Sequence, residues 1–373
     1  MIKIMTVFGT RPEAIKMAPL VKELEKEKMI KSIVCVTAQH REMLDQVLDL
    51  FDINPDYDLD IMQNKQTITG ITTKVLEGIE DVIIKEKPDM ILVHGDTTTT
   101  FAGSLAAFYQ KVPVGHVEAG LRSGDKYSPY PEEMNRSLAG RIASIHFAPT
   151  ISNKENLLKE NINEKSIFIT GNTVIDALIS TIDKNYKFQE DVLNRMDFEN
   201  KKIILLTSHR RENLGQPMIN IFNAVKRIVE ENENVEVVFP VHLNPKVREL
   251  VNDILKDVNR VHLIEPLDYK PFANLISKCH LIMTDSGGIQ EEAPSLGKPV
   301  IVLRTETERP EAVEAGTVKV VGVEEKYIYD QVNLLINNEE EYNKMASAIN
   351  PYGNGKACER IVEEILEYFE IKA

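Results

Sequence analysis

Short apolar runs rich in Val and Ile recur along the chain, and each is followed by a longer stretch whose apolar positions return at helical spacing. In the first half the runs cover residues 3–8, 32–37, 89–94, 112–117, 144–148 and 166–170. In the second half they cover 201–207, 235–241, 260–264, 280–284, 299–304 and 318–321. Continuous apolar strands alternating with helices predict parallel sheet covered on both faces. A polar segment at 183–202 divides the two sets. The expected fold is therefore α/β, two doubly wound Rossmann-like domains facing a cleft. The expected boundaries are 1–185 for the N-terminal domain, 186–355 for the C-terminal domain, and 356–373 for a terminal helix packing back on the first domain.

Helix signals fall where this scheme needs them. Pro12 suits a first helical position before 13–27, and Pro131 precedes a predicted helix over 132–142. Gly287-Gly288 follows a strand and opens a helix from about Ile289, and the last helix is predicted over 356–368.

Composition narrows the class of function. Hydrophobic residues at 43% and charged residues at 27% are ordinary for a globular protein. No apolar run approaches the ~18 residues of a membrane-spanning helix. Residues 1–8 lack a basic region and a small-residue cleavage site, so they read as a first strand and not a signal peptide. Lys and Arg number 44 and Asp and Glu 58, a net charge of −14. Such a surface repels nucleic acid and anionic lipid, so an anionic ligand has to be held by a local group of cations. Cys35, Cys279 and Cys358 are far apart and odd in number, which reads as buried free thiols in a reducing cytoplasm.

In open parallel sheets ligands bind beyond the carboxyl ends of the strands. Polar groups gather at the predicted strand ends of both halves. Ser286-Gly287-Gly288 is the strongest anion site, because glycines admit a ligand to the backbone and a helix start offers free N–H groups. Glu292 suits the two hydroxyls of a ribose, whereas Glu291 reads as part of a solvated helix face. Arg11, Lys16, His209, Arg210, Arg211 and Arg309 are the cations that could neutralise a diphosphate. Asp96, Glu118 and Glu132 each have a local reading: a turn cap, a pair with Arg122, and a first-turn carboxylate. Together, on adjoining strand ends, they read as acid–base groups.

Other motifs fall away. Gly353-Asn354-Gly355 follows no predicted strand, so a tightly bound dinucleotide is not expected. The Asp-rich run 56–60 reads as loop, and the histidines lack zinc spacing. Neither a metal nor a cofactor is expected.

Phe8-Gly9-Thr10-Arg11-Pro12-Glu13-Ala14-Ile15-Lys16, Gln39-His40-Arg41-Glu42-Met43, His94-Gly95-Asp96-Thr97, His116-Val117-Glu118-Ala119-Gly120-Leu121-Arg122, Pro131-Glu132-Glu133-Met134-Asn135-Arg136 and Asp285-Ser286-Gly287-Gly288-Ile289-Gln290-Glu291-Glu292 closely resemble the bacterial non-hydrolysing UDP-N-acetylglucosamine 2-epimerases. The resemblance runs from the first strand to the last helix. It implies a glycosyltransferase-B-like fold, a homodimer, and interconversion of UDP-N-acetylglucosamine and UDP-N-acetylmannosamine through loss and re-addition of UDP at 2-acetamidoglucal. It further implies an acid–base set of Asp96, Glu118 and Glu132, with His209 on the diphosphate. Arg11, Lys16, Arg136, Phe272, Ser286, Gly287, Gly288, Glu292 and Arg309 would hold the substrate. Leu267 stands at a uracil-side position where some relatives carry Gln. A second UDP-N-acetylglucosamine, acting as allosteric activator, would meet Gln39, His40, Arg211 and His242, the last two read as spare cations. Gln39-His40-Arg41 and His209-Arg210-Arg211-Glu212 set the chain apart from the hydrolysing relatives. A glycosyltransferase of the same fold and a non-catalytic nucleotide-sugar sensor are the rival readings, and neither needs the three carboxylates.

Overall fold

The computed structural model describes residues 1–38, 41–62 and 67–371. The chain forms two compact units, one of residues 1–180 and 352–373 and one of residues 181–351. The first holds a seven-stranded sheet of β1 (Ile2–Phe8), β2 (Ile30–Val36), β3 (Tyr57–Asp58), β4 (Met90–His94), β5 (Val114–Val117), β6 (Ile145–Ala148) and β7 (Ile167–Ile169), in the order β3-β2-β1-β4-β5-β6-β7. The second holds a six-stranded sheet of β8 (Lys202–Thr207), β9 (Val235–Pro240), β10 (Val261–Ile264), β11 (Leu281–Thr284), β12 (Val300–Val302) and β13 (Val318–Val320), in the order β10-β9-β8-β11-β12-β13. The strand pairs in both sheets are parallel.

Alternation along β1 explains the layering. Ile4 and Phe8 join a core with Leu20, Leu24 and the terminal helix residues Ile361 and Ile365. Met5 and Val7 belong to the opposite core with Val75, Ile79, Ala102 and Ala106. Both faces of the strand are therefore buried, which is why its sequence reads as a continuous apolar run. In the second unit, Ile204 and Leu206 pack with Phe222, Val225 and Ile328 in the same manner.

The strand order reverses between β1 and β4 in the first unit and between β8 and β11 in the second. Ligand sites in doubly wound sheets lie beyond the strand ends at this reversal. Gly9, Gly95, Ser208 and Asp285 directly follow the four strands concerned.

Two boundaries and one element differ from the sequence expectation. The units part at 180/181 and not after 185, because Asn274 of the second unit binds this stretch: its Oδ1 accepts from the Asp183 N–H at 2.8 Å and its Nδ2 donates to the Thr181 carbonyl at 3.3 Å. The chain returns to the first unit at Tyr352, ahead of 356, where the Tyr352 carbonyl accepts from the Asn172 N–H at 2.7 Å. Within the run 56–60, read as loop, Tyr57–Asp58 forms an edge strand on β2. The Asp56 carboxylate accepts from the Val34 N–H at 2.8 Å and fastens that edge.

Candidate active site

The helix Arg11–Lys26 begins with a capping box in which Thr10 and Glu13 satisfy each other's backbone N–H groups. Glu13 is buried and also accepts from Gly9 N, Thr97 Oγ1 and Thr100 Oγ1 at 3.1, 2.6 and 3.3 Å, so it binds the β1 end to the β4 end. A Cβ at Gly9 would lie 1.9 Å from Thr37 Oγ1, so only glycine allows this approach. One turn into the helix, Lys16 Nζ donates to Glu118 Oε1.

Glu118 follows β5 with φ +60°, a left-handed conformation that strains a non-glycine residue by roughly 1–3 kcal/mol. Its side chain is largely buried. Besides Lys16, Asn172 Nδ2 donates to Oε1 at 2.9 Å, while His94 Nε2 lies 3.6 Å from Oε2. Burial alone would push this carboxyl up. The Lys16 ammonium, the His94 ring and the hydrogen bonds from Lys16 and Asn172 pull it far below the usual carboxylate range, so Glu118 is ionised. Burial draws His94 down to about 4, which leaves it neutral.

Asp96 follows β4, the strand beside β5, in a register that pairs His94 with Val117. Its carboxylate binds Arg136 Nη2, and its carbonyl accepts from Asn135 Nδ2 at 3.0 Å. Arg136 lies on helix Glu132–Ile142, one turn beyond the half-buried Glu132. Glu133 is the organising residue of that turn. It accepts from the Ser123 and Gly124 N–H groups at 3.0 and 3.1 Å and from Arg136 Nη1 at 3.3 Å. The Arg136–Asp96 bond thus links this helix to the β4 end, and Glu118 stands on the neighbouring strand end.

In the second unit the buried carboxylate of Asp285 collects the β8–β11 ends. Its Oδ2 accepts from His209 N, Arg210 N and Asn213 Nδ2 at 2.8, 2.9 and 3.1 Å. Ser286 precedes a six-residue helix, Gly287–Glu292, and the Ser286 N–H donates to Thr284 Oγ1 at 2.9 Å. Gln290 Oε1 accepts from Thr307 Oγ1 at 2.5 Å, and Thr307 Oγ1 accepts from the Arg309 N–H at 3.1 Å, which anchors the Arg309 turn. Glu292 is buried against Tyr269, whose phenol burial and this carboxylate push well above its ordinary value. Leu267 and Phe272 are half-buried on and just before the same helix, Tyr269–Lys278.

The sequence profile of the UDP-N-acetylglucosamine 2-epimerase family matches residues 22–366. The UDP-N-acetylglucosamine 2-epimerase of Bacillus subtilis is 60% identical over 368 residues, 99% of this chain and 96% of that protein. The chain belongs to the UDP-N-acetylglucosamine 2-epimerase family. The Neisseria meningitidis UDP-GlcNAc 2-epimerase bound to UDP-GlcNAc superposes with a TM-score of 0.86 at 54% identity, covering 98% of this chain and 100% of that one. The Methanocaldococcus jannaschii UDP-GlcNAc 2-epimerase in complex with UDP-GlcNAc and UDP superposes with a TM-score of 0.73 at 38% identity, covering 98% of this chain and 100% of that one. The epimerase fold is glycosyltransferase-B-like, with one Rossmann-like sheet in each unit.

Against the epimerase motifs, several pairings differ from the sequence reading. Arg122 binds Glu160 through two bonds of 2.6 and 2.8 Å and leaves Glu118 to Lys16. Lys16, expected among the cations for the diphosphate, also pairs with Glu118. Glu291 is not solvated: it is buried and paired with Arg309 Nε, since the short helix turns that face inward. His242 stacks on His209 with ring centroids 5.5 Å apart. Burial and the His209 ring pull His242 below its ordinary value, so it is no standing cation, and Arg211 is exposed. Gln39 and His40 lie outside the described residues. Among the described residues no group of three or more His, Cys, Asp or Glu could hold a metal ion, and no helix is long and apolar enough to cross a membrane.

Sequence reasoning passed over His94, Asn172, Glu133, Tyr269 and Asp285 as individual site residues. Two of them carried a signal: His94 ends a buried strand, and Asp285 directly follows one, where a polar side chain needs a stated partner.

Proposed function

We propose that this family member reversibly converts UDP-N-acetylglucosamine to UDP-N-acetylmannosamine by eliminating UDP to 2-acetamidoglucal and adding it back, supplying N-acetylmannosamine units for surface polysaccharide. The observation that carries this reading is the ionised, buried Glu118 on the strand end beside Asp96. C2 of the sugar adjoins no carbonyl, so its proton is too weakly acidic for simple abstraction. Departure of the C1 oxygen with UDP makes C2–H cleavage feasible, with a base for the proton and an anion site for the leaving group.

Asp96, Glu118 and Glu132 form the acid–base set in this reading, with Arg136 orienting Asp96. The second unit holds UDP: Ser286, Gly287, Gly288 and Arg309 on the diphosphate with His209, Glu292 on the ribose, and Phe272 and Leu267 at the uracil. Arg11 and Lys16 are the first unit's cations for the anionic substrate, and Lys16 then shares its charge between that anion and Glu118. A second UDP-N-acetylglucosamine acts as activator through Arg211 and His242, with Gln39 and His40. The protein works as a homodimer in the cytoplasm, where buried thiols such as Cys35, Cys279 and Cys358 stay reduced.

The test is turnover of UDP-N-acetylglucosamine in deuterated water, followed by proton NMR at C2. Deuterium at C2 of both recovered sugars is expected. Neither turnover nor label would overturn the assignment.

A further inference from the structure

His94 ends β4 and is buried, yet neither ring nitrogen has a hydrogen-bond partner among the described residues. A buried polar group left unsatisfied costs about 1–3 kcal/mol, so its retention asks for a reason. The ring is aimed at one place: Nε2 lies 3.6 Å from Glu118 Oε2. Gly95 follows with φ +65°, and a Cβ on it would lie 3.3 Å from the same oxygen, so glycine at this position keeps that side of Oε2 uncrowded.

The two oxygens of Glu118 are unlike. Oε1 accepts from both Lys16 and Asn172. Among the described residues Oε2 has no hydrogen-bond partner, and His94 Nε2 lies beside it at 3.6 Å, outside hydrogen-bond range. Oε2 is thus the less stabilised, more basic oxygen, and the one that receives a proton. Once protonated it becomes a donor, and the imidazole 3.6 Å away, neutral at working pH, is able to accept from it.

We infer that His94 is a positioning residue of the epimerisation, accepting at Nε2 the hydrogen bond of Glu118 Oε2–H formed when the C2 proton is taken. The inference rests on the reading of Glu118 as an acid–base group. In the step itself the C2–H bond breaks, its electron pair forms the C1=C2 bond, and UDP leaves with the C1–O pair. The proton stays on Oε2, shared with His94. Lys16 on Oε1 keeps Glu118 charged in the resting state, and His94 offsets the resulting weakness as a base by stabilising the protonated form.

Three substitutions test this. His94→Leu fills the space without a polar atom, His94→Gln keeps an acceptor near the Nε2 position, and His94→Asn has one too short to reach. His94→Leu is expected to lower kcat about 100-fold, the lower end for assisted proton transfer. KM and UDP affinity should stay near wild type, and thermal stability should be equal or higher, since an unsatisfied group is gone. The primary isotope effect on kcat with 2-deuterated UDP-N-acetylglucosamine should rise as C2–H cleavage becomes rate-limiting. His94→Gln should recover at least tenfold of the loss, and His94→Asn should not. Wild-type kcat and isotope effect in His94→Leu would overturn the inference, as would equal impairment of the Gln and Asn variants, a comparison that stands even if the Leu variant does not fold. Glu118→Gln separates the two levels: full turnover by that variant removes the Glu118 reading itself, whereas its inactivity beside a fully active His94→Leu removes only the role of His94.

Discussion

Nδ1 of His209 lies 3.1 Å from Oδ1 of Asp285, a carboxylate with no solvent exposure. The other oxygen takes two backbone N–H groups and the Asn213 amide, so one side chain sets both the imidazole and the loop that carries it. Asp285→Asn replaces an acceptor-only group by one that turns an amide toward these donors. Burial pushes the native carboxyl up, yet the His209 contact and the N–H bonds pull it down more strongly. Its stabilisation is therefore present above the unfolded carboxyl value of about 3.9 and lost as pH falls through the folded one. Urea unfolding at pH 7 should show a loss of about 3 kcal/mol in the variant, shrinking toward acid pH. A variant within 1 kcal/mol of wild type, on the usual scale of surface changes of about 0.5 kcal/mol, would contradict this role.

Lys16→Met tests what holds Glu118 charged. In the native protein the depressed carboxyl contributes stability above the unfolded glutamate value of about 4.3, lost as pH falls. Without the ammonium, burial dominates and the carboxyl rises above that value. The variant should be least stable relative to wild type at pH 7–8, by roughly 3–5 kcal/mol. The deficit should narrow as pH drops through the raised value and the side chain takes a proton. Thermal melts across this range measure it; a deficit independent of pH would show that another group keeps Glu118 ionised.

Glu118→Gln and Glu132→Gln should each reduce turnover by about 10²–10⁴-fold. UDP affinity should change little, because the groups assigned to UDP in the second unit hang on Asp285 and the Thr307–Gln290 bonds, not on these carboxylates. Titration calorimetry with UDP separates the two effects. A large loss of affinity in either variant would reassign that residue to binding.

The proposed activator site makes a kinetic prediction. Turnover of UDP-N-acetylglucosamine should be sigmoidal or show a lag, and pure UDP-N-acetylmannosamine should convert very slowly until a trace of the other epimer is added. An activator shifts an equilibrium only by its differential affinity for the two states. Because His242 is held neutral, Arg211 supplies the charge, and Arg211→Ala should abolish activation with little effect on UDP at the first site. Hyperbolic turnover of pure UDP-N-acetylmannosamine by the native protein would rule out the activator and leave the epimerase intact.

The repeating β-branched runs by themselves determined twelve strands among the described residues, and the polar residues after them located the chemistry at strand ends, because a strand buried on both faces must be apolar until it leaves the sheet. A further strand, Tyr57–Asp58, escaped because two residues on a sheet edge need no apolar pattern, only the Asp56 contact to Val34. Partner choice was decided by tertiary structure alone. Lys16 and Glu118 are 102 positions apart, and only the order of β1, β4 and β5 in the sheet brings them together. Arg122 had Glu118 within four positions and still binds Glu160, since Glu118 turns through a left-handed backbone toward Lys16. Glu291 looked solvent-facing on a helix whose inward turn appears only once Arg309 is in place. Hydrophobic period is a local property and can be read along the chain. The charge state of a carboxylate depends on which distant cations reach it in a low-dielectric interior, and that is set by packing.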